Sequence, residues 1–132
     1  MASSRTSRLV IAAALIFSSG WLIGREQPRT EKTVLWAAAW TALDTMTPQD
    51  FERLKTETAG LVNTVPGLRR VWVGKLLEPK TFDGVERTYG MVLEFDDVKS
   101  KKAYEANPLP PWREHFNSMR APRSTNFDVV GE

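Results

Sequence analysis

From Thr33 to Thr41 apolar residues run almost without a break (TVLWAAAWT). The run is short for a helix and apolar on both alternating sets of positions, which predicts a strand covered on both faces. Thr47-Pro48-Gln49-Asp50 carries a helix start, with threonine at the cap, proline at the first helical position and an acid in the first turn. Phe51, Leu54, Thr58, Leu61 and Val62 follow at spacings of three and four, one buried stripe of that helix. Val65-Pro66-Gly67 reads as a turn.

Leu68 to Leu77 predicts a second strand, with Val71 and Val73 on one face and Trp72 on the other. Glu78 to Val85, holding Pro79, Asp83 and Gly84, reads as a hairpin loop. Between Arg87 and Asp96, Tyr89, Met91, Leu93 and Phe95 alternate with Thr88, Gly90, Val92 and Glu94, the clearest strand of the chain. Asp96 or Asp97 caps a short helix through Lys102, Ala103 and Tyr104, and Asn107-Pro-Leu-Pro-Pro111 interrupts it. Pro111 then starts a further helical turn with Trp112, His115, Phe116 and Met119, and Thr125 to Val130 is the last strand, Phe127 and Val129 sharing a face.

The order is βαββαβ, that of the ferredoxin-like α+β fold: an antiparallel four-stranded sheet with its helices on one face. The open sheet face should then be polar. It is not, because Trp36 and Trp40 form one set of the first strand and Leu35, Ala37 and Ala39 the other. About a hundred residues supply no third layer, so a second copy of the chain is the expected cover. Two such sheets facing each other make a dimeric α+β barrel.

The N-terminal stretch has a different pattern. Arg5 and Arg8 precede the apolar run Leu9 to Phe17, small residues Ser18 and Gly20 follow, and Arg25 closes it. This predicts an export signal, or an anchor touching the membrane through residues 9–24. The uncharged stretch of 16 residues is shorter than the ~20 that span a bilayer comfortably. Residues 1–24 are therefore assigned to a signal or anchor, 25–31 to a polar linker and 32–132 to the α+β domain. The expected location is periplasmic or extracellular, or membrane-anchored.

Charge follows the same division. Residues 1–30 hold four arginines against Glu26 alone, which gives +3; the whole chain of 132 residues carries +2, so the remainder carries −1. A near-neutral domain lacks the concentrated basic face that nucleic-acid binding needs. Its two candidates are Arg69–Arg70 and the Lys99, Lys101, Lys102 run, and the run reads as a solvated helix face. With no cysteine and one histidine, thiolate zinc, iron–sulfur and disulfide chemistry are excluded, as is a multi-histidine metal site within the chain. No Gly-rich phosphate loop, G-x-S-x-G elbow or H-E-x-x-H is present.

From Thr33 onward the chain resembles the stress-responsive A/B barrel (Dabb) family. The resemblance lies in Val34-Leu-Trp-Ala-Ala-Ala-Trp40, Val65-Pro-Gly-Leu-Arg-Arg-Val-Trp-Val-Gly74, Tyr89-Gly-Met-Val-Leu-Glu-Phe-Asp96, Tyr104-Glu-Ala-Asn-Pro108 and Phe127-Asp-Val-Val130. It implies a homodimer with a cavity between sheet and helices. Some members are cofactor-free cyclases or related lyases that use a Tyr and a His of a Tyr-x-x-His-Pro-x-His segment. Here Tyr104 matches, but Asn107 and Pro110 stand at the histidine positions.

These residues leave two readings open. In one, the domain binds a small apolar or aromatic molecule, with Trp36, Trp40, Trp72, Tyr89, Asn107 and Trp112 around it. In the other, it is a cofactor-free cyclase, lyase or monooxygenase in which His115 folds back beside Tyr104 for acid–base work. Against both stand blander roles: packing for the aromatic residues, a satisfied core hydroxyl for Tyr104, and an exposed helix position beside Glu114 for His115.

Overall fold

The apolar run does form the first strand. In the computed structural model, which describes residues 32–131, β1 is Val34–Trp40. The signal or anchor assigned to 1–24 and the linker assigned to 25–31 lie outside the described residues. Helix α1 (Pro48–Gly60) starts with a complete capping box: Thr47 Oγ1 accepts from the Asp50 N–H at 3.1 Å and Asp50 Oδ2 from the Thr47 N–H at 3.0 Å. It ends earlier than its stripe suggests. Leu61 lies in a short 3-10 turn (Leu61–Asn63) and stays buried, while Val62 turns outward.

Strand β2 runs Leu68–Phe82 and β3 Val85–Phe95. The expected loop from Glu78 to Val85 is therefore mostly strand. Asp83 and Gly84, both with positive φ, make the two-residue turn whose twist matches that of its flanking strands. The ladder is broken between Lys75 and Lys80, so that Leu76 to Pro79 bulge out of register. Pro79 has no N–H to offer a ladder and sits in that interruption. Helices α2 (Val98–Ala106) and α3 (Pro110–Met119) follow, and β4 (Thr125–Val130) closes the chain. Asp97 rather than Asp96 is the α2 cap, accepting from the Ser100 N–H at 2.7 Å. The segment after Pro110 is a full helix of 10 residues rather than one turn.

The sheet order is β2-β3-β1-β4, all antiparallel, with β1 and β3 central. This is the ferredoxin-like arrangement. Register decides the faces. Val34, Trp36, Ala38 and Trp40 pair with Phe95, Leu93, Met91 and Tyr89 on the helix side. There they join Leu54, Tyr104, Trp112, Phe116 and Met119 in one apolar core. The opposite face carries Leu35, Ala37 and Ala39, with Trp72 and Val92 beyond them on one side and Phe127 and Val129 on the other. Apart from Leu76, which lies against Gly90, little among the described residues covers it: Trp72 is 47% exposed, Phe127 56% and Val129 46%.

Gly67 shows how closely helix and sheet layers meet. Its φ is +79°, and a Cβ added there would lie 2.1 Å from Ser100 Oγ and 2.4 Å from Ser100 Cβ. Gly67→Ala should therefore cost about 2–4 kcal/mol, from left-handed backbone strain plus overpacking against α2. A lowered urea midpoint at unchanged slope would show it.

Candidate functional site

Helices α2 and α3 roof the β1–β4 side of the sheet and leave a cavity of about 260 Å³ beneath them. Its aromatic walls are Trp36 from β1, Tyr104 from α2, and Trp112 and Phe116 from α3. Lys101 and Glu105 enter from α2, Arg113, Asn117 and Arg120 from α3 and its end, and Ser124 and Asn126 from the start of β4.

Each group is held by something specific. The Trp112 indole N–H donates to Thr58 Oγ1 at 2.8 Å, and that hydroxyl donates to the Leu54 carbonyl at 2.7 Å. Thr58 sits in the α1 stripe as a buried relay that satisfies the indole. Lys101 is buried, not part of a solvated face; it pairs with Glu105 and, at 3.3 Å, with Asp128 of β4. Arg120 Nε donates to Asn117 Oδ1 at 2.9 Å and Nη1 to Ser124 Oγ at 2.7 Å, with the guanidinium 5.3 Å from the Phe116 ring centre. Arg113 lines the cavity together with the Tyr104 side chain. Burial pushes the Tyr104 hydroxyl above its ordinary value of 10.0, against the opposing pull of Arg113 and Lys101. At neutral pH it is a protonated phenol, a donor and not a base.

His115 is not in this cavity. Its Nδ1 lies 2.7 Å from Glu57 Oε2 of α1, and since a carboxylate only accepts, Nδ1 carries the proton. The reason is helical geometry. Positions two apart face opposite flanks at about 3.6 residues per turn. His115 therefore faces α1 while Arg113, Asn117 and Arg120 share the cavity flank. The side chain is 13% exposed, so the exposed position beside Glu114 is corrected as well.

The other sequence-selected residues divide. Trp36, Tyr104 and Trp112 meet in the cavity. Trp40 and Tyr89 do not: their rings stack at 4.8 Å in the core. Trp72 lies on the open sheet face, with Arg70 5.3 Å from its ring centre. Asn107 is the exposed residue ending α2. The Arg69–Arg70 pair is engaged by carboxylates: Arg70 Nε reaches Glu94 at 2.6 Å and Arg69 Nε reaches Asp96 at 3.3 Å. Arg113, Asn117 and Arg120 were missed as site residues, although their spacing of four then three is itself a helical stripe.

Glu57 gives the helix pair a pH dependence. Burial works to raise its carboxyl, but hydrogen bonds from His115 and Arg53 outweigh it and hold the group below the ordinary 4.5. A carboxyl lowered by folding contributes stability above its unfolded value and loses it as pH falls through the folded one. The advantage of the native chain over Glu57→Gln should therefore shrink as pH drops below about 4.5, read as thermal midpoints across an acid series.

No protein-family model and no curated protein sequence matches the chain. Solved structures do. A dimeric ferredoxin-like protein of unknown function from Thermobifida fusca superposes with a TM-score of 0.61 at 19% identity, over 80% of this chain and 96% of that one. The hydroxynitrile lyase of Passiflora edulis gives 0.62 at 13% identity, over 76% and 94%. A Dabb family protein from Mesorhizobium loti, described as ferredoxin-like, gives 0.59 at 14% identity, over 77% and 99%. Among the described residues no helix is long and apolar enough to cross a membrane, and no cluster of metal-ligating side chains occurs. The chain thus shares its ferredoxin-like α+β fold with these proteins, one of them from the Dabb family whose motifs its sequence resembles.

Proposed function

We propose that the chain is an exported homodimer in which each protomer binds a small apolar or aromatic molecule between α2, α3 and the β1–β4 strands. The cavity carries this reading. It is walled by Trp36, Tyr104, Trp112 and Phe116, and the polar groups among them converge on one space. The second copy covers the open sheet face. Ala37, Ala39, Gly74 and Gly90 form a small-residue trough there, with Trp72 and Phe127 as its rims. A rim residue of a partner related by a twofold axis fits such a trough. The dimeric Thermobifida fusca protein of the same fold supports this partner. Export rests on Arg5, Arg8 and the apolar run after them.

A cofactor-free enzyme is the second reading, favoured by the Tyr104 phenol inside the cavity and by the Passiflora edulis lyase of the same fold. Binding is preferred because His115, the base that acid–base chemistry with Tyr104 requires, faces Glu57 of α1 and is absent from the cavity lining.

Native mass spectrometry of the full chain against a small-molecule library tests both. The expected result is a dimer with one ligand per protomer, weakened by Tyr104→Phe and unaffected by His115→Ala. A monomer without ligand would overturn the proposal. Turnover lost in both variants would establish the enzyme instead, and an intact Met1 end in the soluble fraction would remove export.

A further inference from the structure

We infer that the molecule held in this cavity is an anion, a small aromatic carboxylate whose charged end meets Arg113 and Arg120. The inference rests on the binding reading above and adds the chemical class of the ligand.

Three cations line the cavity, and they are not equivalent. Lys101 is outnumbered by Glu105 and Asp128, two carboxylates to one ammonium, so that with Arg113 and Arg120 the group carries a net +1. Arg120 is oriented by two neutral acceptors, Asn117 and Ser124, so its guanidinium is held in place while its charge is not offset. Arg113 lines the same cavity as the Tyr104 hydroxyl, a neutral group. Among the described residues neither arginine forms an ion pair. Two guanidiniums, one on α3 and one just past its end, and a protonated phenol in the same space present donors and positive charge to whatever enters. In a concave site such charge is focused on what enters.

The rest of the lining narrows the class. The aromatic walls take a flat ring. The volume of about 260 Å³ lies just under the ~300–1,000 Å³ of sites for drug-sized ligands, so one ring with its substituents fits. Guanidinium forks match carboxylates and phosphates through paired hydrogen bonds, and the small volume between aromatic walls favours the planar carboxylate. Phosphate sites typically use backbone N–H groups at helix starts and Gly-rich loops. Here the donors are side chains from α3 and its end.

The test is calorimetric titration of the full chain with benzoate, benzamide and phenyl phosphate. Benzoate is expected to bind about tenfold or more tightly than benzamide, the worth of a charge-assisted hydrogen bond, and to weaken as salt rises. Arg120→Gln and Arg113→Gln should each weaken benzoate more than benzamide, so that the preference falls in both variants. Equal affinity for benzoate and benzamide, or a preference surviving both substitutions, would overturn the charge assignment and leave the binding reading standing. Tighter binding of phenyl phosphate would overturn the carboxylate. If none of the three bound at millimolar concentration, the binding reading and this inference would fall together.

Discussion

Ala37→Asp should convert the proposed dimer to monomers, raising its dissociation constant at least about a hundredfold. Ala37 is at the centre of the uncovered face, paired with Val92 on one side and Phe127 on the other. A carboxylate there, enclosed by a second sheet, would be a buried charge without a partner, which costs about 3–5 kcal/mol. Aspartate is too short to reach the rim and regain water, whereas lysine would snorkel. On a face that stayed in solvent, the same change would alter association not at all. Phe127→Ala, on the edge strand, is the companion variant; it trims a rim residue without introducing charge, and should weaken the dimer less. Sedimentation velocity at micromolar concentration reads both. A native chain that sediments as a stable monomer, or an Ala37→Asp dimer as tight as the native one, would remove the interface and with it the barrel.

Trp40→Ala should cost about 3–5 kcal/mol of folding stability, a large part of the ~5–15 kcal/mol typical of a domain. Trp40 is 0% exposed, stacked on Tyr89 at 4.8 Å and meeting Phe116 edge-on at 5.3 Å. It thereby joins β1 and β3 to α3. Removing it leaves a cavity at the junction of both layers, which strands and helices already in register fill only in part. Trp40→Phe should cost far less. The indole N–H has no hydrogen-bond partner among the described residues, so phenylalanine gives up no such bond while keeping a ring against Tyr89 and Phe116. Chemical denaturation of the two variants side by side separates ring packing from the polar atom. If Trp40→Phe were as damaging as Trp40→Ala, shape rather than burial would govern the site.

The strands and helices were legible because their signals are local. Thr47-Pro48-Gln49-Asp50 makes its capping box with its own atoms, and the alternation in β3 needs no partner to be read. The β2–β3 connection was misread for an instructive reason. Pro79 suggested a loop, but β2 absorbs it in a bulge and continues to Phe82, so the true turn is Asp83-Gly84. The candidate site was half legible. Tyr104, Trp36 and Trp112 stood out by type, whereas Arg113, Asn117 and Arg120 looked like ordinary surface of a helix. His115 drew attention as the single histidine, and a residue's rarity does not determine which flank it occupies.

The sequence by itself determined that the sheet is apolar on both faces, since period-two alternation assigns Leu35, Ala37 and Ala39 to one side and Trp36 and Trp40 to the other whichever way the strand is turned. It also determined where helices begin, because caps and prolines act within a few residues. Only the tertiary structure decided which set meets the helices, which of three cavity cations is ion-paired, and that His115 faces Glu57 rather than Tyr104. Those outcomes depend on partners distant along the chain: Lys101 meets Asp128 across α2 and β4, and Glu57 meets His115 across α1 and α3. No local pattern encodes such pairs, because helix rotation and strand register bring them within hydrogen-bonding distance only once the layers have packed.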